Sequence, residues 1–144
     1  MAVLINIVLA VVTLCLYVVA SVRFYRREEP FMGYLGAAVI LDVATAILAS
    51  FKITPTTALP GPPLVPWRSG LFLAHMGVAT VGMFGFIAVW LVLLVKGKDK
   101  PYERLRKFQY HVLLPCWVAG EVIALTNSIG KILLKVRIYD YFRF

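Results

Sequence analysis

The chain is predicted to be an all-α integral membrane protein with four transmembrane helices in an antiparallel bundle. Three observations carry this. Of its 144 residues 61% are hydrophobic, against about 45–50% for soluble domains. The mean hydropathy is +0.85. The charges sit in short blocks separated by long uncharged stretches, and about 20 apolar residues cover the hydrocarbon core of a bilayer. The length allows one domain, a small bundle with short connections.

The first span is predicted over 2–22 and contains no charge. A cleavable leader has a basic start and a shorter apolar core, so this segment reads as an uncleaved anchor. It ends at the charged turn Arg23-Phe-Tyr-Arg-Arg-Glu-Glu-Pro30. The second span is predicted over 31–51. A proline-rich outer loop, 52–68, follows. Pro55, Pro60, Pro62, Pro63 and Pro66 fix φ and remove N–H donors, which forbids a helix and stiffens the loop. This loop is either an ordered cap, a partner contact or a rigid linker. The third span is predicted over 69–95, followed by a basic cytoplasmic loop over 96–107. The fourth span is predicted over 110–134, and the tail to Phe144 mixes aromatic and basic residues as a membrane–water interface favours.

The net charge of +8 does not point to nucleic acid, because the basic residues flank hydrophobic spans. They set orientation instead. Arg23, Arg26, Arg27, Lys96, Lys98, Lys100, Arg104, Arg106 and Lys107 fall on one side, and Lys52, Arg68, Lys131, Lys135, Arg137 and Arg143 on the other. The first group is larger, which places it in the cytoplasm and both termini outside, in a multi-pass protein of the plasma membrane. Cys15 and Cys116 lie inside spans and read as free, small apolar side chains. No spacing of Cys or His suits a metal.

In lipid, helices need small residues or polar contacts to associate. Gly70, Ala74, Gly77, Gly85 and Ala88 form one small-residue stripe in span 3, and Cys116, Gly120, Ala124 and Ser128 another in span 4. Both are expected to be helix contacts.

Asp42 and Glu121 are the residues most in need of explanation. Each lies near mid-membrane in its span, where an ionisable group costs about 2.5–3.5 kcal/mol on insertion scales. Two acids at one depth read either as proton-relay or quinone-site groups, or as protonated carboxyls bonded to a neighbouring helix. His75 lies about two turns into span 3, toward the outer face. It reads first as a structural hydrogen bond or a contact to a partner subunit, and second as a single haem or metal ligand. Arg68, at the mouth of span 3, suits a lipid headgroup, a haem propionate or a quinone carbonyl. His111 opens span 4 on the opposite side, so the two histidines do not make a bis-histidine haem site. Pro115 removes the helix bond to the carbonyl of His111 and is expected to kink span 4. No Ser-His-Asp set, phosphate loop or metal cluster specifies an enzyme.

The segment Arg68-Ser-Gly-Leu-Phe-Leu-Ala-His75-Met-Gly-Val-Ala79 resembles the third helix of a family of small four-helix bacterial and archaeal membrane proteins. That family includes an assembly factor for aa3-type terminal oxidases. The run Arg104-Leu-Arg-Lys-Phe-Gln-Tyr-His-Val-Leu-Leu-Pro115-Cys-Trp117 resembles its basic loop and the start of its last helix, and Met32 also matches. Glu28, Glu29 and Glu103 occupy ground where the family pattern has further histidines. The resemblance implies a membrane role beside respiratory complexes.

Two functions are therefore expected to compete. One is a non-catalytic membrane subunit or assembly factor of a larger respiratory, electron-transport complex, with other membrane subunits as partners. The other is a direct haem- or quinone-linked proton-relay role through Asp42, Glu121 and His75. A small transporter ranks behind them, for want of an inverted repeat.

Overall fold

The structure, a computed structural model, describes residues 2–50 and 66–142. Helix α1 spans Ala2–Arg26, α2 Phe31–Ser50, and α3 Gly70–Lys96. The last rod is continuous from Glu103 to Leu134: α4 (Glu103–Phe108), a π-turn at Gln109–Leu113, α5 (Leu114–Ile129) and a second π-turn at Gly130–Leu134. Short 3-10 turns occupy Pro66–Arg68 and Ile138–Phe142. No strand occurs among the described residues. Four helical stretches are long and apolar enough to cross a membrane: Ile5–Arg26, Phe31–Leu48, Gly70–Lys96 and Glu103–Leu134. The proline-rich loop expected over 52–68 lies outside the described residues up to 65.

Two boundaries differ from those expected, for one reason. Helix α1 runs past Val22 to Arg26, and the last rod starts at Glu103 rather than Tyr110. Both added turns carry charges that suit the helix dipole. Arg23 and Arg26 occupy the last turn of α1, while Glu103 lies in the first turn of α4 and pairs with Lys107 at 3.2 Å. The connection between α3 and α4 therefore shrinks from the expected 96–107 to 97–102. Arg27, at φ 65°, closes α1 in the left-handed conformation as Glu28 N–H reaches Arg23 O at 2.8 Å. Gly97, at φ 83°, ends α3.

Pro115 is the second residue of α5, directly after the π-turn. It has no N–H to give to the carbonyl of His111, and the ladder widens ahead of it: Leu114 N–H reaches Gln109 O, five residues back. The backbone thus departs from α-helical bonding just ahead of Pro115 as a π-turn.

Each helix buries one stripe. In α1 it is Thr13, Tyr17, Ala20, Ser21 and Phe24; in α2 Phe31, Leu35, Ala38 and Val39; in α3 Phe86, Val89 and Leu93; in the last rod Gln109, Leu113 and Trp117. Polar groups are therefore enclosed, as in the bond from Gln109 Nε2 to Ser21 Oγ at 3.1 Å. Large apolar side chains such as Val8, Ile40, Phe84 and Leu133 point outward, as lipid requires. Helix α1 packs on α2, and α3 on α5, with α1–α5 and α2–α3 contacts joining the pairs. Exposed ion pairs Arg27–Glu103 (3.1 Å) and Lys98–Glu29 (2.8 Å) bring the α1–α2 turn beside the α3–α4 turn. At the other end the Ser69 hydroxyl donates to Tyr139 O at 2.8 Å and accepts from Phe72 N–H at 3.2 Å, capping α3.

The expected small-residue stripes need correction. In α3 the contact is made by Gly82 and Gly85, whereas Ala74, Gly77 and Ala88 are exposed. A Cβ on Gly82 would stand 2.6 Å from Trp117 Cβ and 2.9 Å from its Cα. Reciprocally, a Cβ on Gly120 would stand 3.1 Å from Ala79 Cα. The stripe predicted for α3 skipped Gly82; of its members Gly85 makes the contact, while Ala74, Gly77 and Ala88 face outward. In α5, Gly120 makes the contact, while Ala124 and Ser128 line a cavity. Gly82→Ala is expected to destabilise the bundle by about 1–3 kcal/mol, because backbone rather than a mobile side chain blocks the new methyl. Gly77→Ala, which meets nothing within 4 Å, should be near neutral. Reversible unfolding of both variants in mixed micelles measures the difference.

Candidate functional site

A cavity of about 400 Å³ opens between the helices, in the half of the bundle away from the paired turns. All four spans line it. Helix α1 contributes Asn6, Ile7 and Ala10, and α2 contributes Asp42, Thr45 and Ala46. Helix α3 adds His75, Met76, Ala79, Thr80 and Met83, and α5 adds Trp117, Glu121, Ala124, Leu125 and Ser128. The fold thus brings Asp42, Glu121 and His75 onto one chamber from three different helices.

Asp42 is the most tightly held of the three. Tyr17 Oη donates to Asp42 Oδ2 at 3.0 Å, and Trp117 Nε1 donates to the same oxygen at 2.9 Å. The carboxyl therefore ties α1, α2 and α5 at one level, with Oδ1 left for an occupant of the cavity. The Tyr17 ring stacks on Phe86 at 4.1 Å and meets Trp117 at 4.8 Å, so the donors themselves are fixed by packing.

His75 is oriented by the backbone. Its Nδ1 lies 2.9 Å from Gly120 O. A carbonyl only accepts, so Nδ1 carries the hydrogen and Nε2 of the neutral ring is an acceptor. The ring stacks on Tyr139 of the tail at 6.2 Å, and Phe72 closes edge-on against the same tyrosine at 5.4 Å. Tyr139 N–H in turn approaches Asn127 Oδ1 at 3.4 Å. Burial, reinforced by the negative Glu121, pushes the Tyr139 phenol up to about 12, so it stays protonated at neutral pH.

Glu121 has no hydrogen-bond or ion-pair partner among the described residues, and it lies within electrostatic range of Asp42. Among the described residues no Lys or Arg lines the chamber. Chemically, the site offers two carboxyl groups and one acceptor imidazole to a molecule with exchangeable protons, with Trp117, Met76 and Met83 as its apolar walls.

The remaining sequence-predicted residues lie elsewhere. Arg68 is exposed in the turn before α3 and does not line the cavity. His111 is exposed in the opposite half, edge-on to Tyr25 at 5.6 Å and to Tyr110 at 5.1 Å. Among the described residues no three His, Cys, Asp or Glu side chains are grouped to hold a metal ion. Cys15 and Cys116 are free thiols. Sequence reading missed Tyr17, and Tyr139 too. The signal for Tyr17 was its place in mid-span, since a tyrosine away from the interface belt needs a partner for its hydroxyl.

No known protein-family model, curated protein or solved structure matches this chain.

Asp42→Ala should leave the Tyr17 hydroxyl and Trp117 N–H without an acceptor, at about 1–3 kcal/mol for each buried donor. Asp42→Asn keeps an acceptor oxygen and should lose less than half as much. Chemical unfolding of the two variants in micelles separates them.

Proposed function

We propose that this membrane protein holds a small lipophilic molecule of the quinone class in the chamber and exchanges protons with it. The observation that carries the reading is the convergence of Asp42, Glu121 and His75, from three helices, on one cavity. A quinone accepts hydrogen bonds through its carbonyls and its reduced form donates them through hydroxyls. Glu121 and Asp42 Oδ1 suit either partner, according to protonation, and His75 Nε2 accepts. The apolar lining favours the ring.

The residues do not fit haem. His75 has the backbone-anchored Nδ1 that an axial ligand needs. However, the described lining presents two carboxyl groups and no Lys or Arg to pair with propionates, and His111 is in the other half.

In this reading the four spans run up and down as an antiparallel bundle in the cell membrane, with both termini outside. Its support is the pairing of the two basic turns at one end and the Ser69–Tyr139 contact at the other. The excess of Lys and Arg on the paired turns assigns them to the cytoplasm.

A second reading is favoured by the outward face of α3. Ala74, Gly77 and Ala88 present small residues to the bilayer, and the Gly77 position is open. Such a face admits another helix closely. It supports a non-catalytic subunit or assembly factor of a larger electron-transport complex, as the resemblance to oxidase-linked four-helix proteins implies. Mild extraction from native membranes and a native gel test it: co-migration with a larger complex is expected, and a lone monomer counts against it.

For the chamber, titration with a short-tailed ubiquinone analogue should quench Trp117 emission in a background carrying Trp67→Phe and Trp90→Phe. Glu121→Gln and His75→Ala should each weaken binding by roughly 5–30-fold, the loss of one polar contact. Quenching that fails to saturate would exclude the quinone reading.

A further inference from the structure

The enclosed guanidinium of Arg106 lies far from the chamber and is not used by it. Arg106 is only 9% exposed, lying over the Phe24 ring at 5.5 Å in the seam between α1 and α4. Its Nε and Nη1 are fully enclosed and have no hydrogen-bond partner, while Nη2 is not among the enclosed atoms. A cation this buried needs a counter-charge. Glu103, the acid that acts on it electrostatically, is already committed: Oε2 holds Arg27 at 3.1 Å and Oε1 holds Lys107 at 3.2 Å. Glu29 is held by Lys98 at 2.8 Å. Residues 23–29 and 96–107 together contain nine Lys or Arg against four Asp or Glu, so the protein does not neutralise this end from its own side chains. The position is the end of two membrane spans, where phospholipid headgroups lie.

We propose that Arg106 is the seat of an anionic phospholipid, whose phosphodiester approaches the α1–α4 seam and bonds Nη2. The phosphate oxygen neutralises a delocalised cation whose other two nitrogens are shut against Phe24. Arg27, although paired with Glu103, is near enough to act on Arg106 electrostatically. The guanidinium suits the task because its planar fork matches phosphate oxygens and stacks on an aromatic face. The competing arrangement is an interior water joining Arg106 to Gln109 Oε1, the other enclosed atom without a partner.

Native mass spectrometry of the full chain, released from nanodiscs of equal phosphatidylglycerol and phosphatidylcholine, tests the site. Wild type should retain phosphatidylglycerol about fivefold over phosphatidylcholine, the scale of one basic side chain at an anionic surface. Arg106→Gln should abolish the preference, and Lys100→Gln, an equal loss of charge at an exposed position, should keep it. Equal losses in the two variants would mean a diffuse basic field and overturn the proposal, as would wild type without preference. Thermal melting of wild type needs no variant and covers misfolding of Arg106→Gln. Phosphatidylglycerol should raise the midpoint where phosphatidylcholine and inorganic phosphate do not. A rise with inorganic phosphate alone would mean a free-anion site, and no rise with any of them would mean the interior water; either result sinks the lipid assignment.

Discussion

The carboxyl of Asp42 is the point on which the bundle turns. A lone acid in hydrocarbon is costly, and lipid gives helices no apolar drive to associate. Two donors from two other helices meet one oxygen, so α1, α2 and α5 have one mutual rotation and one depth at which that oxygen is satisfied. Apolar side chains alone do not fix such a register, since sliding a Leu past a Leu in lipid changes little. The indole reaches Asp42 because Gly82 lets the Trp117 backbone lie where a Cβ would otherwise stand. The same α3–α5 approach brings Gly120 O within 2.9 Å of His75. The glycine contact thus sets two of the chamber's three ionisable side chains, one through Trp117 and one through a carbonyl.

The two ends of the bundle work differently. At the turn end, Glu29 and Glu103 hold Lys98, Arg27 and Lys107 in exposed pairs. Such pairs contribute little to stability singly. Hydrogen bonding to Glu29 raises the affinity of Lys98 for its proton, which keeps that charge in place across the ordinary pH range. At the far end Arg137 pairs with Asp140 at 3.1 Å, and a side-chain-to-backbone bond adds to the closure. Ser69 caps α3 and also holds the tail, which lays Tyr139 on His75. Exposed ion pairs join the two turns at one end, while the tail lays an aromatic ring on His75 at the other.

Hydropathy made the four spans legible, because length and apolarity are sums that need no partner. It failed at Arg26 and Glu103, where helix continues although apolarity stops: arginines in a last turn and an acid in a first turn favour helix while lowering hydropathy. That Asp42 and Glu121 fall inside the apolar stretches was legible for the same reason as the spans. Their partners were not. A helix apolar on all sides gives no sign of which face turns inward, so Tyr17 was not connected to Asp42, and the α3 stripe was placed on Ala74 and Gly77 instead of Gly82. The pairing of His75 with Gly120 O was hidden as well, because a backbone carbonyl has no residue-type signature.

The chamber and the core are two outcomes of one distribution of side-chain size. Toward the turn end, Phe24, Phe31, Leu35, Phe86, Leu93 and Leu113 fill the space between helices. Toward the other end the facing positions include Ala10, Ala46 and Ala124, and volume remains. Small residues usually draw membrane helices together, as Gly82 and Gly120 do here. With the helices already spaced by the aromatic half, alanines further along cannot close the gap, and an open volume is the result. A carboxyl such as Glu121, with no partner among the described residues, is tolerable only beside such a volume, where a proton, water or bound molecule can reach it. The packed half therefore supplies the rigidity, and the polar residues occupy the half that the packing leaves open.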